Sequence, residues 1–152
     1  MEGPQTTINK KDFYSGASQV PPSEGYREAF TLHLADTNLI LAQRNSEWCA
    51  HGPILEQDIA ITNISLDLLG QSRNFYQYAA LLTTQSTYQP NTQATEDSLA
   101  YLRTEREFKN LLIAELPNGD WAQTILRQFF LVFINIIFTN SYKKVMTHNL
   151  QP

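Results

Sequence analysis

The 152-residue sequence has a single cysteine, Cys49. One thiol cannot close an intrachain disulfide, so a disulfide-stapled fold is excluded, and a lone thiol fits a reducing cytoplasm. Charge is scarce as well. Charged residues make up 17 % of the chain, below the usual quarter, and uncharged Gln, Asn and Thr fill the gap. With 11 Lys and Arg against 15 Asp and Glu the net charge is −4. No basic balance points to nucleic acid or to an anionic membrane surface. The start of the chain lacks an apolar signal stretch. The longest largely apolar run, residues 129–138, is well short of the roughly 20 residues a membrane-spanning helix needs, so no membrane partner is expected. Glycine-rich phosphate loops, Gly-x-Ser-x-Gly, paired Cys motifs, internal repeats and hairpin-type strand signals are all absent.

What is present reads as helix. Residues 1–24 are polar, carry Pro4, Pro21 and Pro22, and suggest a flexible arm. From Tyr26 to Trp48 no Pro or Gly interrupts an amphipathic pattern built on Tyr26, Phe30, Leu34 and Leu41; Ser23 is placed to cap it. A short break at 49–52 follows. Pro53 suits the first position of a second helix, and Glu56 and Asp58 favour its N-terminal dipole. That helix is apolar on several sides and is expected to run to Leu82, forming an antiparallel hairpin with the first. Residues 83–95 read as a loop. A third helix is expected over 96–115, opened by Thr95-Glu96-Asp97-Ser98. A fourth is capped by Asp120, with Gln123 as its capping-box partner. The fold class is all-α, a helical bundle or part of one.

Polar residues inside these helices carry the chemical question. Asn63, Asp67, Gln71 and Asn74 form a stripe at helical spacing on the second helix, and Asp36 and Asn38 sit between leucines on the first. If the hairpin turns near His51, equal counts from the turn bring Asp36 level with Asp67. Facing carboxylates in a bundle are the raw material of a di-metal site, which further needs Glu-x-x-His motifs to complete the coordination of two cations. None occurs. Gly70 occupies the slot three residues after Asp67, and His33, His51 and His148 are isolated. The expectation is a buried polar network of Asp36, Asn63, Asp67, Gln71 and Asn74, or pairing of the aspartates with an Arg such as Arg44 or Arg73. Cys49 and His51 are neighbours in sequence without an orienting third group. Arg103, Arg106 and Lys109, mixed with Glu105 and Glu107, read as a solvated face, or as an anion or coenzyme-A contact. Trp48 and Trp121, at a helix end and a helix start, read as core or interface anchors. With Phe75, Tyr76 and Tyr78 they are the candidate partner surface.

Several long stretches agree in order with one family. LADTNLILAQRNSEW (34–48), WCAHGPILE (48–56), NISLDLLGQSR (63–73), LAYLRTEREFKNLL (99–112), ELPNGD (115–120) and TILRQFF (124–130) resemble the structural C subunit of ring-1,2-phenylacetyl-CoA epoxidases, over about residues 26–130. The resemblance implies a ferritin-like bundle. It also implies a non-catalytic role in the oxygenase that epoxidises phenylacetyl-CoA during aerobic phenylacetate breakdown. The di-iron centre is then expected in the catalytic A subunit, with no catalytic residue, metal or cofactor in this chain; Asp36, Asp67 and Gly70 would mark vestigial ligand positions. The alternatives are a ferritin-like di-metal oxidase that completes its site by oligomerisation, or a non-functional remnant. C subunits of that family are considerably longer. The likeness is expected to fade after Phe130, leaving residues 25–138 as a partial domain and 139–152 as an unmatched tail. The Phe, Ile, Asn and Lys of residues 131–152 are what A/T-rich codons encode in any frame, which suggests a frameshifted or truncated product. An incomplete bundle would leave the apolar faces of the first two helices partly uncovered, with poor solubility or dependence on a partner as the result.

Overall fold

The computed structural model describes residues 22–86 and 94–148. They form α1 (Pro22–Ser46), α2 (Leu55–Ser86), α3 (Glu96–Tyr101), a 3-10 turn (Glu105–Glu107), α4 (Leu112–Glu115) and α5 (Trp121–His148). No strand occurs among the described residues, in agreement with the all-α expectation. Residues 1–21 of the expected arm lie outside the described residues. Helix α1 already begins at Pro22, where the missing N–H has no intrahelical partner to lose. Ser23 therefore sits inside the helix and does not precede it.

Helices α1 and α2 pack antiparallel along their length. Thr83 donates to Glu28 at 2.8 Å near one end, Ser72 donates to the Ala35 carbonyl at 2.9 Å in the middle, and Cys49 Sγ meets Thr62 Oγ1 at 3.2 Å near the turn. These pairs centre the hairpin beyond His51, because Pro53 and Ile54 still belong to the connection and α2 begins only at Leu55. Asp36 is thereby carried past Asp67 to the level of Ser72 and Tyr76. The face of α2 turned to α1 is built on Ile61, Ser65, Leu68, Ser72, Tyr76 and Ala79, all buried. Ser65, Ser72 and Ala79 recur every seven residues, and small side chains at that spacing let the two backbones approach. Helix α2 also outlasts its expected end at Leu82. Thr84 returns its hydroxyl to the carbonyl of Ala80 at 2.8 Å, satisfying itself within the helix, while Thr83 shares its one hydroxyl hydrogen between Glu28 and the Ala79 carbonyl at 3.0 Å.

The single third helix expected over 96–115 is broken into three pieces. Thr95 and Ser98 cap α3 reciprocally, and Thr104 and Glu107 close a second box on the 3-10 turn. Between this turn and α4 the backbone is extended at Phe108 and Leu111. Its donors go to side chains of α1: Lys109 N–H to Asp36 at 2.8 Å and Leu111 N–H to Thr37 at 3.2 Å. An α-helix here would withdraw those donors from α1. At the last turn, Gly119 takes φ +61 and Asp120 accepts from Gln123 N–H at 2.8 Å, the N-cap expected from the sequence.

Helix α5 runs unbroken across residues 138–139. It touches α1 and α4, and barely approaches α2. Among the described side chains of α5, Leu131 is the one fully buried large apolar residue, packed with Leu41, Ala42, Leu68 and Ala114. The uncovered apolar face thus belongs mainly to α5, with a second exposed strip on α2, while α1 is enclosed. Over Trp121–Ser141 α5 is long and apolar enough to cross a membrane by length and composition. The sequence reading missed this because it required an uninterrupted run, whereas the hydropathy is spread between Gln, Thr and Asn.

Candidate functional site

The most organised polar centre lies where α1, α2 and the segment 103–109 meet. Asp36 is fully buried and forms an ion pair with Arg103, whose side chain is 12 % exposed. The carboxylate's Oδ1 accepts from the Tyr76 hydroxyl at 2.6 Å and from Arg103 Nη2. Its Oδ2 accepts from Arg103 Nη1 at 3.0 Å and from Lys109 N–H at 2.8 Å. A carboxylate offers about four acceptor positions, so Asp36 is saturated. The guanidinium is equally committed. Its Nε donates to the Leu99 carbonyl, Nη1 also to the Glu107 carbonyl at 3.2 Å, and Nη2 also reaches Tyr76 Oη at 3.3 Å. Phe108 lies under the cation at 4.4 Å.

Electrostatics follow from that closure. Burial first, then the bond to Asp36, push the Tyr76 phenol well above its ordinary range. Burial works against the charge on Arg103, but the bond and attraction to Asp36 outweigh it, so the guanidinium is held protonated more firmly than usual. The centre is a locked ion pair with a neutral phenol.

A second polar set joins α1 to α5. Asn38 accepts from Asn135 at 3.2 Å, and Asn45 donates to Gln128 at 2.7 Å. The two rungs are seven residues apart on both helices and fix their antiparallel alignment. Trp48 Nε1 donates to Thr124 at 2.9 Å, and its ring meets Trp121 edge-on at 5.1 Å. Arg127 is buried and donates to the Leu116 carbonyl at 2.6 Å and to the Asn118 side chain. Burial, then the nearby Arg44, lowers its pKa against the pull of Glu47.

Residues 20–151 match the phenylacetic acid catabolic protein family. The chain belongs to that family. It is 52 % identical over 103 residues, 68 % of its length, to the C subunit of the 1,2-phenylacetyl-CoA epoxidase of Escherichia coli (strain K12), and it spans 38 % of that relative. The family match continues past Phe130, where the sequence reading has the likeness fade, and takes in residues 139–151.

Of the expected network only Asp36 is buried; Asn63, Asp67, Gln71 and Asn74 all face outward. The physical reason is the small-residue face of α2, which takes the inner side and turns the amide stripe to the exterior. The partner of Asp36 is Arg103, neither Arg44 nor Arg73. Arg44 pairs with Glu47 at 2.9 Å and Arg73 with Glu96 at 3.2 Å. Arg103 therefore does not belong to a solvated face. No signal within the third segment set it apart from Arg106, because the break that turns it inward depends on donors to α1. Tyr76 is 3 % exposed and cannot serve a partner surface, while Tyr78 is exposed and Phe75, Trp48 and Trp121 are half-buried. The His51 ring bonds the Cys49 carbonyl at 2.9 Å and the thiol meets Thr62, so the two do not form a thiol–imidazole pair.

A di-iron centre, which the ferritin-like fold brings to mind, does not fit these residues. Asp36 has no free acceptor position, Gly70 has no side chain to ligate, and Asp67 is exposed while Asp36 is buried. Among the described residues no three His, Cys, Asp or Glu converge.

Proposed function

We propose that this chain is a non-catalytic helical component of a phenylacetyl-CoA epoxidase, in the cytoplasm, where it supports the partner that carries the di-iron centre and the thioester. The observation that carries the reading is the saturated Asp36. This chain commits both oxygens of that buried carboxylate to Arg103, Tyr76 and a backbone N–H. A carboxylate so engaged braces helices. The 52 % identity to a C subunit supplies the complex in which such a brace would act, and the iron and the substrate are then the partner's. Co-expression with the catalytic A subunit of such an epoxidase, affinity capture and iron analysis test the proposal. The expected result is a complex whose iron follows the A subunit. Absence of a complex, or about two irons bound per copy of this chain alone, overturns it.

A further inference from the structure

The corner between the end of α1 and the start of α5 turns on the dipeptide Asn118-Gly119. Gly119 takes φ +61, in the left-handed region that favours glycine, and a Cβ there would run into the Gln123 side chain. Asn118 is half-buried, and its amide is clamped from both ends. Nδ2 donates to the Arg44 carbonyl at 2.7 Å and to Glu47 Oε2 at 2.9 Å. Oδ1 accepts from Nη2 of the buried Arg127. The Asn118 carbonyl accepts from Thr124 Oγ1 at 3.0 Å, and that hydroxyl accepts from Trp48 Nε1 at 2.9 Å. One asparagine thus ties the last turn of α1 to the first turns of α5, and the corner demands a glycine directly after it.

That pairing has a chemical consequence. A glycine after asparagine leaves its backbone nitrogen unshielded by any Cβ, free to attack the side-chain amide. The Gly119 nitrogen gives up its proton and bonds Asn118 Cγ; the Cγ–Nδ2 bond breaks and ammonia leaves. Water then opens the succinimide. Opening at Cγ leaves aspartate, and opening at the main-chain carbonyl leaves isoaspartate, whose backbone is one methylene longer. The clamp opposes this reaction. It fixes the orientation of the amide, and the nitrogen that must depart is the one donating to Arg44 and Glu47. The product cannot rebuild the clamp. Aspartate keeps an oxygen for Arg127, but its other oxygen meets the Arg44 carbonyl and the Glu47 carboxylate with no hydrogen to donate. Isoaspartate also lengthens the chain just before the left-handed glycine.

We propose that Asn118 is a spontaneous modification site gated by the fold: it deamidates through Gly119 when the α1–α5 corner opens, and the carboxylate it leaves keeps the corner from closing again. The corner's geometry stands apart from the epoxidase reading and does not require it.

The test incubates the full chain at mildly alkaline pH, folded and in urea, and follows the tryptic peptide 110–127 by mass spectrometry. Asn110, followed by Leu111 in the same peptide, is the internal control. Conversion of Asn118 is expected to be at least tenfold faster in urea, where no opening step is needed. Glu47→Ala removes one arm of the clamp. It is expected to speed conversion in the folded chain about threefold, the worth of one modest hydrogen bond, and to leave the rate in urea unchanged. Glu47→Gln keeps an acceptor and is expected to stay near the parent. Trp48 and Trp121, the two tryptophans of the chain, meet edge-on at this corner and report its closure. Asn118→Asp is expected to shift their emission to the red and to lower the urea midpoint. Parent chain converted in urea and returned to buffer is expected to recover less native emission than chain held in urea only briefly, a readout that does not depend on the variant folding. Equal rates in the folded chain and in urea, or a folded-state rate indifferent to Glu47→Ala, overturns the gate. Native emission regained in full by the converted chain, or an Asn118→Asp variant with the parent's emission and midpoint, overturns the claim that the corner stays open.

Discussion

Helices α1 and α5 are of similar length, 25 and 28 residues, and α5 is the more apolar. Yet α1 is the enclosed one. It buries Thr31, Asp36, Thr37, Asn38 and Asn45, while α5 leaves Phe129, Phe133, Ile136 and Ile137 at 48–63 % exposure. Burial here follows the number of neighbours, not hydropathy. Helix α1 meets α2, the segment 103–118 and α5, and most of its buried polar groups find partners there, Asn45 Oδ1 excepted. Helix α5 meets α1 and α4 on one side only.

The sharpest way to break this contrast is to remove the answer to Asp36. Arg103→Met leaves a buried carboxylate without its cation and is expected to cost about 3–5 kcal/mol, a large share of the total stability of a domain this size. Urea unfolding followed by circular dichroism reads it. A loss under about 1 kcal/mol would mean that apolar packing alone holds α1. Next in size, Leu41→Ala on α1 opens a cavity in a fully buried position and is expected to cost about 2–5 kcal/mol. Phe133→Ala on α5 is expected to cost no more than about 0.5 kcal/mol. Equal costs in the two helices would erase the distinction between them.

Tyr76→Phe removes one of the four donors to Asp36 and is expected to cost about 1–3 kcal/mol at neutral pH. It also alters the alkaline limb. The native phenol is held protonated above its ordinary value of 10.0, so its contribution is fully present below pH 10. It is lost as the pH rises further and the unfolded chain releases the proton first. The slope of stability against pH above 10 is therefore expected to flatten in Tyr76→Phe, as thermal melts across that range would show. The smallest effect is at the hairpin turn. The bond from Gly52 N–H, 2.9 Å long, then that from Ala50, lower the Asp58 pKa from 3.8. This stabilisation is present above that value and is lost as the pH falls through the lowered one. Asp58→Asn is expected to melt slightly below the parent at pH 7, with the gap closing on acidification.

Much of this was legible in the sequence. The α1–α2 hairpin, the Thr95 cap and the Asp120 cap are local, and each is written in neighbouring residues. Asp36 stands out because a lone carboxylate among leucines demands a partner. What was not legible is which partner. The register of the hairpin hung on whether Pro53 and Ile54 belong to the turn or to the helix, and a shift of a few residues moved Asp36 from Asp67 to Tyr76. Arg103 could not be chosen from its own surroundings, since Arg106 and Lys109 share them. The choice is made by the N–H groups of Lys109 and Leu111, which reach α1 only if the helix pattern of 99–112 is given up. The inner face of α2 was hidden for a related reason. Ser65 and Ser72 look like surface residues until the closeness of α1 gives their small size a purpose.

The paired amides between α1 and α5 bear on a problem that an apolar helix cannot solve alone. With Leu, Ile, Val and Phe on almost every side, α5 could slide along its neighbour and find grease at each stop. A slip of three or four residues would strand Asn38, Asn45, Gln128 and Asn135 together, and a slip of seven would keep only one rung. Unpaired buried amides are costly, so the two rungs act as a vernier, admitting a single alignment of a helix whose hydrophobic surface would accept many.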